Sequence, residues 1–208
     1  MLLYYITDRT QFPGDESARR RCLLQKIAEA SRCVDFIQLR EKDLGTGDLE
    51  DLARTASSLV REGSSKTRLL INSRTDVAMA CGANGVHLHS LDISPRDVRA
   101  LWARSGRDPL PVVAVSCHTL ADVTRAASDG ADFAVFAPVF EKRGVQQTDS
   151  TGIETLRTAS RQKIPVLALG GVTLENASAC MKAGAAGLAG IRLFQENDIA
   201  EVVRTLRG

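Results

Sequence analysis

Residues 34–42, Val-Asp-Phe-Ile-Gln-Leu-Arg-Glu-Lys, begin as an apolar, strand-like run and end in Gln38, Arg40, Glu41 and Lys42. An interior strand ends in charge when its tip faces something polar. In parallel α/β proteins, ligands sit at the carboxyl ends of the strands. Guanidinium and ammonium groups there hold phosphate by charge-assisted hydrogen bonds; the plainer alternative is a solvated strand-to-helix loop. Other apolar runs end in the same way, at Thr7 and Asp8, Asn72 and Arg74, His87 and His89 with Asp92 beyond, and Ser116 and His118. Pro138, Gly170, Gly171 and Gly190 complete the series. Glycines in Leu169-Gly170-Gly171-Val172-Thr173 and Ala189-Gly190-Ile191 let backbone N–H groups approach a phosphate, with a helix N-terminus adding a favourable field. They also suit plain helix-entry turns. Asp92 offers an oxygen to Mg²⁺ or caps a turn. His87 reads either as a core histidine or as a ligand group. His89 falls at the next same-face position, is expected to point the same way, and is a candidate general acid or base. Cys117 beside His118 reads as a packed thiol rather than a nucleophile.

Eight apolar or β-branched runs carry these residues: 2–6, 34–39, 68–72, 85–88, 111–115, 132–136, 165–169 and 186–190. Most are continuously apolar, as in strands covered on both faces. Helical patterns alternate with them at 17–31, 47–63, 75–82, 95–105, 119–128, 152–161, 174–183 and 198–207. Ser94 before Pro95, Thr119 with Asp122 three residues on, and Thr173 are expected N-caps. Gly82, Gly130 and Gly184 are expected helix stops. Eight βα units point to one α/β domain over residues 1–208, a single (β/α)8 TIM barrel, with a doubly wound open sheet as the rival. The longest stretch without an assigned element, 138–151, marks a candidate lid.

Formal charge is +2 and gives no global reason to expect nucleic acid or a membrane surface as partner. No apolar run approaches the ~20 residues of a membrane span. Met-Leu-Leu-Tyr-Tyr-Ile reads as a first strand rather than a signal peptide. Five cysteines without C-x-x-C spacing suit reduced thiols and a cytoplasmic setting. Trp102 and Phe194 read as packing on outer helices, and those helices offer a surface for a homodimer.

Taken together, Tyr4-Tyr5-Ile6-Thr7-Asp8, Gln38-Leu39-Arg40-Glu41-Lys42, Asn72-Ser73-Arg74-Thr75-Asp76, Gly85-Val86-His87-Leu88, Ser116-Cys117-His118-Thr119, Ala137-Pro138-Val139-Phe140 and Ala168-Leu169-Gly170-Gly171-Val172 resemble the thiamine phosphate synthase/TenI superfamily over nearly the whole chain. The resemblance implies thiamine biosynthesis: coupling of hydroxymethylpyrimidine diphosphate to thiazole phosphate, with release of pyrophosphate. It implies that Arg40, Lys42 and Asn72 bind the diphosphate and Gln38 and Ser116 the pyrimidine side. Asp92 would bind Mg²⁺, and backbone amides around Gly170, Gly171, Gly190 and Ile191 the thiazole phosphate.

Three segments depart from the synthase pattern. Ser73 stands where the family has Asp, removing one carboxylate. The Thr-x-Thr/Ser-Lys element after the sixth strand is replaced by Glu141-Lys142-Arg143-Gly144, where Lys142 or Arg143 would supply the charge. The His-x-Gly-Gln segment is His87-Leu88-His89-Ser90. The departures lean toward the TenI branch, whose thiazole tautomerases need no metal, but that branch uses a histidine where this chain has Pro138. A tautomerase here would depend on His89. A third reading is a non-catalytic protein that binds thiazole or thiamine phosphate.

Overall fold

The computed structural model describes residues 1–64, 66–140 and 152–208. The continuously apolar runs form eight strands: β1 (Leu2–Ile6), β2 (Phe36–Leu39), β3 (Arg68–Asn72), β4 (Gly85–Leu88), β5 (Val112–Cys117), β6 (Phe133–Phe136), β7 (Val166–Ala168) and β8 (Gly187–Gly190). They close into a parallel barrel in chain order, β1 to β8. The doubly wound alternative is thereby set aside, because an open sheet would leave two unpaired edges. Helices follow at α1 (Glu16–Ala30), α2 (Thr46–Gly63), α3 (Thr75–Ala80), α4 (Pro95–Arg104), α5 (Leu120–Ser128), α6 (Gly152–Ala159), α7 (Ala177–Lys182), α8 (Arg192–Gln195) and α9 (Ile199–Arg207). Of these, α8 and a 3₁₀ turn at Arg9–Gln11 were not expected from periodicity; each is too short to show a helical repeat.

Contacts divide the chain into two compact units. The first joins Met1–Leu2 to His87–Gly190, and the second joins Leu3–Val86 to Ile191–Gly208. In the second, Tyr4, Tyr5, Ile37, Leu39, Leu69, Leu70 and Ile71 are fully buried. Each such side chain stabilises by about 1.5–3 kcal/mol over exposure. The Tyr5 ring packs 5.8 Å from Phe194, and its hydroxyl donates to Gln195 Oε1 at 3.1 Å. Neighbouring registers place Ile6 beside Gln38 and Gln38 beside Leu70.

In the first unit, Ser94 caps α4 with Pro95 at its first turn, and Thr119 and Asp122 form a reciprocal capping box on α5. Gly82, Gly130 and Gly184 take φ of 67°, 80° and 96°, the left-handed conformation that ends helices. Thr173 is not the cap of α7. That helix starts only at Ala177, after Asn176, because Asn176 Oδ1 takes the Thr173 N–H into a local turn at 2.8 Å. Val139 and Phe140 donate backbone N–H groups to Leu169 and Gly170 at 2.9 and 3.0 Å, fixing the chain just past β6. The remainder of the expected lid, with Lys142 and Arg143, lies outside the described residues.

Candidate active site

In the Leu3–Val86 unit, the ends of β1, β2 and β3 bring polar side chains together. Gln38 is only 2% exposed, and its Nε2 donates to Asn72 Oδ1 at 2.8 Å. Its Oε1 is buried without a hydrogen-bond partner among the described residues. A buried acceptor left unmade costs about 1–3 kcal/mol, so this amide oxygen has capacity for a further donor. Arg40 is half-buried and Lys42 exposed, at the strand tip where an anion was expected.

Glu41 between them turns inward. It accepts from the Thr7 hydroxyl at 2.6 Å, the Arg9 N–H at 3.0 Å and Arg9 Nη1 at 3.2 Å. Burial pushes its carboxyl pKa up, and those three bonds partly offset the rise. Arg9 also grips Asp43 with both terminal nitrogens, at 2.6 and 2.9 Å, and Glu16 through Nε at 2.8 Å. The fork onto Asp43 is the main reason its guanidinium pKa is raised. Arg74, by contrast, is engaged by Asp76 at 2.9 and 2.6 Å and by Thr46 at 3.1 Å. Ser73 adopts φ 55°, the left-handed region that a non-glycine residue seldom occupies.

In the other unit, His87 is buried, and its Nε2 lies 2.7 Å from Ser116 Oγ, which fixes the serine hydroxyl at the end of β5. His89 does not continue His87's buried environment. Strand β4 stops at Leu88, and the His89 side chain is 44% exposed with Nδ1 3.4 Å from Asp92 Oδ2. Two-residue alternation holds only while the backbone stays extended. A small cavity of about 80 Å³ adjoins both residues. Cys117 is buried and its thiol is pushed up to about 12 by desolvation, so it is inert at neutral pH.

Gly170 and Gly171 take φ of 93° and 63°. A Cβ on Gly170 would sit 2.8 Å from Pro138 Cα, so the Gly170 backbone lies directly against the start of the β6 loop. The helix-end field expected at this pair is absent from it: α7 begins at Ala177, and a dipole effect fades within one turn. Backbone N–H groups are what these glycines offer. Gly190 ends β8, and Ile191 stands at the start of α8.

No group of three or more His, Cys, Asp or Glu side chains able to hold a metal occurs among the described residues. Asp92 remains as a hard oxygen donor, its Oδ2 also accepting the His89 N–H at 2.8 Å. A single carboxylate does not make a closed protein cage; a Mg²⁺ held there would have to take its other oxygens from water and ligand.

Known proteins are similar to this chain over nearly its whole length. A family described as thiamine monophosphate synthase matches residues 3–194. The chain belongs to the thiamine monophosphate synthase family. Within that family it is 36% identical to the thiamine-phosphate synthase of Albidiferax ferrireducens, over 90% of this chain and 81% of the relative. It is 32% identical to that of Syntrophomonas wolfei, over 99% and 94%. Among solved structures it is similar to a thiamine phosphate pyrophosphorylase from Pyrococcus furiosus, with a TM-score of 0.80 and 28% identity, covering 99% and 93% of the two chains.

In the fold, Gln38, Arg40, Lys42, Asn72, Asp92 and Ser116 stand at strand ends or just beyond them. Sequence reading passed over Thr7, Arg9 and Glu41 as a group. The signal was present: a glutamate between two cations, and Thr-x-Arg directly after β1. Only pairing across strands shows that they meet.

Proposed function

We propose that this chain is a thiamine-phosphate synthase, joining hydroxymethylpyrimidine diphosphate to thiazole phosphate. The observation that carries the reading is Gln38: a buried amide anchored to Asn72 with its acceptor unmatched among the described residues, two positions before Arg40. A pyrimidine bearing an amino group supplies the missing donor, and its diphosphate reaches the cations of the β2 tip.

In this reading the C–O bond between the pyrimidine methylene and the diphosphate breaks, and both electrons leave with the diphosphate. The thiazole nitrogen then donates its lone pair to the resulting carbocation, forming the C–N bond. Arg40 and Lys42 neutralise charge growing on the leaving group, which lowers the barrier more than a strong base would. Asn72 holds Gln38 and adds an amide to the diphosphate. Ser116, oriented by His87, binds the pyrimidine. Backbone N–H groups at Gly170, Gly171, Gly190 and Ile191 bind the thiazole phosphate. Asp92 would hold Mg²⁺, which when bound supplies further neutralisation of the diphosphate. Five free cysteines accord with a cytoplasmic setting.

Incubation of the purified protein with both substrates and Mg²⁺ is expected to yield thiamine phosphate and pyrophosphate. Absence of product at high protein concentration, with Ser73→Asp unable to restore it, rejects the reading. The contact between His89 and Asp92 supports a second reading, a thiazole tautomerase with His89 as proton carrier. Thiazole aromatisation without pyrimidine or metal, lost in His89→Ala, is its signature.

A further inference from the structure

We propose that Thr7, Arg9 and Glu41 are positioning residues that set the diphosphate clamp. The inference rests on the synthase reading and assigns the clamp a support that the reading itself does not need. Thr7 is fully buried and its hydroxyl is used twice: it accepts the Arg40 backbone N–H at 2.9 Å and donates to Glu41 Oε1 at 2.6 Å. Its own N–H donates to the Gln38 carbonyl at 3.0 Å. One residue of β1's end therefore holds the backbone on both sides of Leu39.

Glu41 Oε2 is taken by Arg9, through both its backbone N–H and Nη1, and the same guanidinium forks onto Asp43. Residues 40, 41 and 43 are thus tied at three points to a segment of five residues, Thr7–Gln11, itself pinned where Asp8 accepts the Thr10 N–H. Electrostatics gives the arrangement a second purpose. Glu41 and Asp43 flank Lys42 and would draw cationic charge away from an incoming diphosphate. Arg9, with its side chain only 4% exposed, absorbs both carboxylates from beneath. The two carboxylates then offset less of the positive charge carried by the β2 tip. A charged brace of this kind keeps a bound anion's partners in place without reorganisation.

Glu41→Ala would leave the buried Thr7 hydroxyl and Arg9 N–H without their acceptor, so the test uses Thr7→Val, which keeps side-chain shape and removes one hydroxyl. In Thr7→Val, KM for the pyrimidine diphosphate is expected to rise about tenfold, as for a lost hydrogen bond to a charged group, while KM for thiazole phosphate stays within about twofold. Calorimetric Kd for inorganic pyrophosphate should weaken by the same factor, and Thr7→Ser should restore both. Unchanged KM and Kd in a folded Thr7→Val, or both KM values rising together, overturns the proposal. Should Thr7→Val not fold, Arg9→Lys, which cannot fork onto Asp43, is expected to give the same selective rise and its absence is equally adverse. Wild-type protein that binds pyrophosphate but makes no product removes the synthase reading alone, and the Kd ratio then decides the brace. Wild-type protein that does neither removes both.

Discussion

Ser73 concentrates two features in one residue: a left-handed backbone, φ 55°, and a neutral side chain directly after Asn72. Aspartate and asparagine tolerate that conformation better than serine. Ser73→Asp is therefore expected to fold normally and to add an anionic oxygen donor at the β3 end. Mg²⁺ titration should show a lower half-saturating concentration in the variant; an unchanged titration would mean that residue 73 takes no part in metal affinity. Cysteines give a second residue-scale expectation. Burial pushes Cys117 up to about 12 and Cys180 up to about 11. Both are expected to stay unmodified by iodoacetamide at pH 8 in the folded protein and to react after denaturation, as read by peptide mass spectrometry. At this scale the sequence was legible in residue type, which singled out Gln38 and Asn72, a pair that meets in the fold. It was not legible where chemistry depends on exposure, as with His87 and His89, because two histidines spaced two apart share a face only while the strand lasts.

Among the elements, α5 has the most complete start. Asp122 closes its capping box and also accepts the His118 N–H at 3.1 Å and the Thr119 N–H at 3.0 Å. Burial alone would raise its carboxyl pKa, but the N–H donors outweigh burial and hold it below its ordinary value of 3.8. A depressed folded-state pKa contributes stability that is full above the unfolded value and is lost as pH falls through the folded one. Asp122→Asn should therefore lower stability near neutral pH by about 1 kcal/mol and flatten the acid limb of the stability curve below about pH 4. Urea melts across pH 2–7 would show it; parallel curves for the two proteins would contradict the assignment. Caps of this type were readable from Thr119 and Asp122 alone, since the motif spans four residues. Thr173 misled because its N–H is captured by Asn176, a competition between local turns that composition does not rank.

For the whole molecule, the closing strand matters most. Leu2 N–H donates to the Ala186 carbonyl at 3.0 Å, and a Cβ built on Gly187 would lie 2.1 Å from Leu2 O. No side-chain rotamer relieves a clash with backbone, so β8 must shift to admit one. Gly187→Ala is expected to destabilise by about 2–4 kcal/mol, the range of severe core strain, seen as a fall in urea midpoint. A midpoint within error of wild type would show that the β1–β8 seam yields at little cost.

Strand count, alternation with helices and the caps of α4 and α5 were all present in the sequence, because each depends on neighbours within a few positions. Burial periodicity and turn chemistry are local properties, and eight continuous apolar runs have few ways to hide both faces. Closure of the sheet and the exposure of His89 were decided only in three dimensions. So was the lattice of Thr7, Arg9, Glu41 and Asp43 beneath the cationic tip, whose partners lie 32 to 34 positions apart. Nothing in the order of residues states which carboxylate a buried arginine will meet. That is settled when β1 and β2 pair in register, which ties the end of the Gln38–Lys42 run to Thr7 and Arg9.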